Sequence, residues 1–504
     1  MMLPFSVGMK IPEEDPVRQA SAQLEELDYT QLYRAYSPNG RKSAVEPRIL
    51  FEVLVYGYMN KLYSSRDIEE ACRKRIDFMW LLDGEPAPDH STISRFRSGR
   101  AREAIEGLFY QYVRRLEEQG ETNHEAVFVD GTKLESAAGR YTFVWKKAVE
   151  KQLEKVKEAV RADFTRRGIP GYATKKKLRE LVETQDTGGF VHGTGKRKSP
   201  EQREWEKSRE LLERWEKYEG QLLTIGTRRN SCSKTDPDAT FMRMKEDHMR
   251  NGQLKPAYNV QLAVNSEYIT GIGAFSNRTD SGTLAPFLRH LERQHGCRYE
   301  SMVADAGYES MENYLYLENS GQVSFIKPVN YEQSKKKAYG EQVGRAENMS
   351  YLADEDCYVC AAGRRLPFRR ETTSIGAYGQ FETTAFYRCE DCSGCSCRAV
   401  CGKAKDDKPK ELKIKPDFQK KREASRANIT SEKGVLLRVN RSIQVEGAFG
   451  VLKQDFGFRR FLTRGWAKIS SELFLLAFAF DLRKFWTKWK NGRLLSHLFS
   501  PLRI

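Results

Sequence analysis

Ala126-Val127-Phe128-Val129-Asp130-Gly131-Thr132-Lys133 is an apolar run that ends on a carboxylate followed by glycine. Its length and composition are those of a short buried strand. An ionised acid at the end of such a strand costs free energy to hold unless a cation or a hydrogen-bond network meets it. The arrangement returns at Ser301-Met302-Val303-Ala304-Asp305, followed by Ala306-Gly307-Tyr308. A third acid, Glu446, lies in a segment of helical pattern from Asn428 to Gly457. Each has a plain alternative when taken singly: an Asp-Gly hairpin turn for Asp130, a turn or capping acid for Asp305, a solvated helix face for Glu446.

The segments around these acids decide the fold class. Strands are expected at Ala257 to Asn265 and Tyr268 to Phe275, then a helix at Thr283 to His295, the strand Ser301 to Asp305, a helix at Met311 to Asn319 and a strand at Val323 to Pro328. Three strands, then helix, strand, helix and strand, is the order of an RNase H-like α/β core with a mixed sheet and flanking helices. In that order the first and fourth strands are parallel neighbours, so Asp130 and Asp305 are expected side by side, with a helix bringing Glu446 across. Charged helices at about 145 to 235 interrupt the core after its first strand and read as a solvated hairpin around the loop Gly188 to Lys198. The expected domains are a helical N-terminal part (1–120), the first part of the core (121–344), a cysteine-rich insertion (345–410) and a helical C-terminal part carrying Glu446 (411–504).

Lys and Arg outnumber Asp and Glu by 85 to 69 over 504 residues, a formal charge of +16. The excess is spread along the chain and favours nucleic acid over an anionic membrane surface as partner. Leu473 to Phe480 is too short to cross a membrane and is bounded by Glu472 and Asp481, so it reads as a buried core helix. The start of the chain lacks a signal-peptide pattern, and a cytoplasmic, nucleoid-associated protein is expected. Ten cysteines are present, seven of them between 357 and 401. Cys357-x2-Cys360 and Cys389-x2-Cys392 have the spacing of a structural zinc ribbon, with buried free thiols as the alternative and Cys395, Cys397 and Cys401 complicating the choice of ligands.

In the N-terminal part, Ser65 to Ile76 is one amphipathic helix, and after Gly84-Glu85-Pro86-Ala87-Pro88 the acid Asp89 caps a second. The pair resembles a helix-turn-helix. Ser91, Thr92, Ser94, Arg95 and Arg97 are then candidate DNA contacts, while Ile93 and Phe96 face the core. Plain helical packing is the alternative.

The three acids together can hold two divalent ions roughly 3.5–4 Å apart, Mg²⁺ or Mn²⁺, for cleavage of a phosphodiester. On an ideal helix Glu446, Gly450 and Lys453 share one face, which places a candidate phosphate contact, Lys453, beside a metal ligand. Lys133 is a further candidate DNA contact. Arg441, five residues before Glu446, points elsewhere on an ideal helix and reaches DNA only from the flank. Tyr308 and Trp145 are candidates for stacking on a base, with core positions as the alternative.

Val129-Asp130-Gly131-Thr132-Lys133, Ala304-Asp305-Ala306-Gly307-Tyr308 and Val445-Glu446-Gly447-Ala448-Phe449-Gly450-Val451-Leu452-Lys453 resemble the motifs of the DDE transposases of bacterial insertion sequences. Tyr258 to Val264, Pro88 to Phe96 and Thr235 to Ala239 add to the resemblance, which covers most of the chain and is nearest to family eleven eighty-two. It implies binding of terminal inverted repeats and target DNA, Mg²⁺-dependent cleavage and strand transfer by Asp130, Asp305 and Glu446, and a homodimer or higher oligomer in the active complex. The sequence departs from the family pattern before the Glu: Arg438 stands near the position of a Tyr, and Arg441 is one residue farther from Glu446 than usual. A regulatory DNA-binding descendant, or a nuclease that cuts without joining, are the rival functions.

Overall fold

A computed structural model describes residues 11–36, 43–192, 197–227, 229–244, 252–376, 379–401 and 408–497. The apolar run at 126 does not stop at its acid. Strand β1 (Ala126–Glu135) passes through Asp130 and is buried nearly throughout, so Asp130 lies mid-strand instead of in a hairpin turn. The following strands are β2 (Phe143–Trp145), β3 (Ser231–Ser233), β4 (Thr240–Arg243), β5 (Leu254–Asn265), β6 (Tyr268–Phe275), β7 (Ser301–Ala304) and β8 (Val323–Ile326). β2 and β3 form a small ladder of their own.

The main sheet is mixed, with order β4-β5-β1-β7-β8 and β6 paired to β5. β5 is antiparallel to both β1 and β6, whereas β7 and β8 run parallel to β1 and to each other. The short edge strand β4 was not foreseen. β1 pairs with β7 only from Ala126 to Val129, and with β5 from Phe128 to Glu135. Asp130 therefore stands where the parallel ladder ends.

The charged insertion is more than a solvated hairpin. Helices Lys146–Arg166, Lys175–Glu183 and Pro200–Ile225 enclose a small core that includes Val156, Val160, Phe164, Leu178 and Trp215. Asp163, buried among them, is met by Arg166, Arg167 and Lys207. The cysteine-rich insertion is an antiparallel sheet, β9 (Ser350–Leu352), β10 (Cys357–Val359), β11 (Arg365–Ile375), β12 (Phe381–Arg388) and β13 (Glu411–Ile414). β13 carries this unit past the boundary expected at 410.

The boundary expected at 120 is not a break in the core. Helix Trp466–Lys490 is buried from Leu473 to Leu482 and packs on β6 as well as on the N-terminal helices Pro47–Met59 and Ala101–Glu118. A helix apolar on all sides belongs in an interior. Its two acids are met unequally there. Glu472 accepts from the backbone of Leu462 and Thr463. Asp481 accepts from Ile269 N–H at 2.8 Å through one oxygen while the other is buried without a partner among the described residues, and burial pushes its carboxyl well above the usual range. No helix among the described residues is long and apolar enough to cross a membrane.

Candidate active site

Two acids are placed by the sheet. Val129 pairs with Ala304 across the parallel ladder, so Asp130 and Asp305, each one residue on, emerge from adjacent strands at the same end. Asp130 is buried and its Oδ1 accepts from Gly131 N–H at 2.8 Å. Asp305 is half-buried; it caps the turn Ala306–Tyr308 and accepts from Gly307 N–H at 2.8 Å.

Beneath them lies a polar floor that the sequence reading missed. Asn259 and Gln261 are paired in register with Lys133 and Gly131, and both side-chain amides donate to Asp280 Oδ1, at 2.7 and 3.2 Å. Tyr308 Oη donates to Gln261 Oε1. Burial, and then the nearby charges of Asp280, Asp130 and Asp305, push the Tyr308 phenol far above its ordinary pKa and keep it neutral. The glycines beside the acids are closely surrounded, Gly131 more tightly than Gly307. A Cβ on Gly131 would stand 2.4 Å from Gln261 Nε2 and 2.7 Å from Asp280 Oδ1, and one on Gly307 would stand 3.0 Å from Asp305 Oδ1 and 3.4 Å from Asp280 Oδ2. Asp280 is thus a fourth carboxylate at the same end of the sheet. Asn259 and Gln261 were findable as a polar pair at period two inside a buried strand, but Asp280 opens a short 3₁₀ turn, Asp280–Gly282, without such a signal.

The third acid arrives on a helix of changing pitch. Ser431 interrupts the expected single helix and caps Glu432–Arg441 by accepting from Gly434 N–H. The chain then takes a π turn, Ser442–Glu446, an α turn, Gly447–Gly450, and a second π turn, Val451–Asp455. A π turn brings residues five apart into line. This overturns the expectation for Arg441: its Nη2 lies 2.9 Å from Glu446 Oε1 and its Nη1 3.7 Å from Asp130 Oδ2. The extra residue before Glu446 is absorbed by the turn, and the guanidinium joins the helix acid to the strand acid. Gln444 Oε1 also accepts from Glu267 N–H at 3.0 Å, which pins the helix to the β5–β6 turn.

The other expected site residues divide. Lys133 donates to the Arg243 carbonyl at 3.2 Å, toward the β4 edge. Lys453 is half-buried on the second π turn, so the shared face argued from α-helical pitch does not carry over to it. Ser91 and Arg95 are exposed and Thr92 and Ser94 half-buried on the helix His90–Arg95, capped by Asp89 as expected, with Ile93 and Phe96 in the core. Arg97 is a correction. It is 7% exposed and donates to the Tyr63 carbonyl at 2.6 Å, a tie inside the fold that leaves it no face for DNA. Tyr308 is fully buried and offers no stacking face, whereas Trp145 is half-buried and packs on Phe143 and Phe241.

Among the described residues, no three His, Cys, Asp or Glu side chains converge closely enough to hold an ion as they stand. For magnesium the donor chemistry fits: Asp130, Asp305 and Glu446 offer hard oxygens, and a cationic guanidinium already bridges two of the three. The expected zinc foursome does not fit. Cys360, Cys389 and Cys392 line one small cavity with Cys395, Cys397 and Cys401, whereas Cys357 lies outside it, its thiol donating to the Tyr358 carbonyl.

Two families match the chain. Residues 359–486 match a family described as Transposase DDE domain, and residues 5–99 match one described as Transposase domain (DUF772). The first match contains Glu446 and Arg441, and the second contains the helix His90–Arg95. No curated protein and no solved structure matches the chain.

Proposed function

We propose, from the premise that this chain is a DDE transposase of the insertion-sequence kind, that it binds the terminal inverted repeats of its element, cuts them with Asp130, Asp305 and Glu446, and joins the freed ends to target DNA. One observation carries the reading: Arg441 ties the Glu446 of the matched DDE segment to Asp130 on β1, next to Asp305 on β7. Two of the motifs supply acids from adjacent strands at one end of the sheet, and the third supplies a helix acid linked to Asp130 through Arg441, which supports the reading. The order β6-β5-β1 antiparallel, then β7 and β8 parallel, supports an RNase H-like organisation of that sheet.

Divalent magnesium, when bound by the three acids, supplies charge neutralisation at the scissile phosphate and activation of the attacking hydroxyl. The chain's own part is positioning. β1 and β7 fix two carboxylates through a four-residue parallel register. The amides of Asn259 and Gln261 hold Asp280 in place under Gly131. Arg441 neutralises Asp130 and Glu446, and a phosphate entering the site competes for the same guanidinium, which frees carboxylate oxygens as DNA arrives. Ser91, Thr92, Ser94 and Arg95 are assigned to holding the repeat, and the active complex to at least two copies of the chain.

The test is incubation of the full chain with a duplex carrying the repeat and a supercoiled target plasmid in Mg²⁺. Cleavage at the repeat end followed by covalent joining to the plasmid is expected. Absence of cutting overturns the proposal, and cutting with no joined product transfers the protein to the nucleases that release their product.

A further inference from the structure

Two cysteine-bearing turns meet at one end of the sheet β9 to β13. The first joins β10 to β11, where the Cys360 carbonyl accepts from Gly363 N–H at 2.8 Å and Gly363 is left-handed at φ +71°. The second follows β12 and contains Cys392-Ser393-Gly394-Cys395, with Gly394 left-handed at φ +58°. Arg364 clasps the two together: its Nη1 and Nη2 donate to the carbonyls of Asp391 and Ser393, each at 2.7 Å. One helical turn, Arg398–Cys401, then brings the Cys401 thiol within electrostatic reach of those of Cys360, Cys392 and Cys395.

The cavity between these turns measures about 20 Å³, room for one small occupant and not for a cluster of several irons. Three cations, Arg364, Arg398 and Lys410, line it as well. Neutral thiols offer such cations little, whereas four thiolates around one divalent ion leave a double negative charge for them to meet. The backbone N–H of Lys410 also donates to Cys392 Sγ at 3.3 Å, a bond of the kind that orients a ligand sulfur. Cys357 and Cys389 are engaged otherwise. Each donates its thiol proton to a carbonyl, that of Tyr358 at 3.4 Å and that of Asp391 at 3.0 Å, and Cys389 belongs to the apolar core of the sheet.

We propose that Cys360, Cys392, Cys395 and Cys401 hold one structural zinc ion, in a tetrahedral site closed to substrate and lined by none of the acids Asp130, Asp305 and Glu446. Of the two overlapping pairs, the ligand pair is Cys392-x2-Cys395 and not Cys389-x2-Cys392. The thiols do not stand at bonding distance as described; the ion closes the turns that Arg364 already clasps, and four thiol protons leave to solvent as four zinc–sulfur bonds form. The ion thereby pins the segment between β12 and β13. β13 leads into the helix Pro416–Thr430, which is tied to β8 where Asn428 donates to the Ser324 carbonyl at 3.0 Å and Ser425 to that of Ile326 at 2.8 Å.

The experiment measures zinc and iron by mass spectrometry in the full chain purified without chelator. About one zinc per chain is expected. Cys360→Ser, Cys392→Ser, Cys395→Ser and Cys401→Ser each lower that content at least about fivefold, while Cys357→Ala, Cys389→Ala and Cys397→Ser keep it. If a ligand variant does not fold, alkylation of the wild-type chain mapped by peptide mass takes its place, with Cys360, Cys392, Cys395 and Cys401 protected until a chelator is added. Wild-type chain without stoichiometric zinc overturns the site, as do iron with acid-labile sulfide in its place and disulfides among the four cysteines. Zinc lost from the Cys389 variant and kept in the Cys395 variant overturns the ligand set. None of these readings depends on whether the chain cuts DNA.

Discussion

Asp130 and Asp305 are held by backbone, Glu446 by a side chain. The strand acids are fixed by the register of β1 on β7, and each is further restrained by a nearby backbone N–H, that of Gly131 for Asp130 and that of Gly307 for Asp305. Glu446 sits at the end of a π turn, its side chain 53% exposed, and its link to the sheet acids is the guanidinium of Arg441. A strand acid cannot shift without moving the sheet, whereas a helix acid on a changing pitch can adjust when a cation takes the place of the arginine. A centre that closes around its ions benefits from having both kinds.

The contrast can be broken most severely on the sheet side. Gly131→Ala presses a methyl onto Gln261 and Asp280, at 2.4 and 2.7 Å. Cleavage is expected to fall about a hundredfold and unfolding free energy by about 1–3 kcal/mol, measured by single-turnover kinetics and by urea denaturation. On the helix side, Arg441→Gln removes the link to Glu446 and leaves the backbone alone. Cutting is expected to fall about tenfold, with the melting temperature nearly unchanged, because a partly exposed pair contributes roughly 0–1 kcal/mol to stability. The smallest change is expected at Gly450, where an added Cβ meets nothing within 4 Å. Gly450→Ala stabilises the helix by about 0.5–1 kcal/mol and leaves cutting intact. If it instead abolishes cutting, the open space beside Gly450 is a DNA contact.

The strand side was legible in the sequence and the helix side only in part, for a physical reason. Alternation and apolar runs fix strands locally, so β5 to β8 and the adjacency of Asp130 and Asp305 followed from residue order. What escaped there was extent: β1 runs on through Gly131 to Glu135 because Gln261 and Asn259 of β5 pair with it, a partner more than a hundred residues away. On the helix, face arguments assume about 100° per residue, and two π turns invalidate them. Arg441 was placed on the flank and stands in the site; Lys453 was placed on the site face and now has no such warrant. Arg97 shows a third limit, since an arginine among surface-like residues is drawn inward by the carbonyl of Tyr63. The cysteine spacing named four ligands, but Cys357 lies on β10 with its thiol donating to the Tyr358 carbonyl, outside the cavity that Cys360, Cys389 and Cys392 line.

The central claim is that acids from two strands and a helix act as one centre. The most direct measurement is the single-turnover rate of cutting of repeat DNA in Mg²⁺ by Asp130→Asn, Asp305→Asn and Glu446→Gln, alongside their affinity for the same DNA. Each variant is expected to bind DNA nearly as the wild type does and to cut at least about a thousandfold more slowly. A variant that still cuts at close to the wild-type rate contradicts that claim.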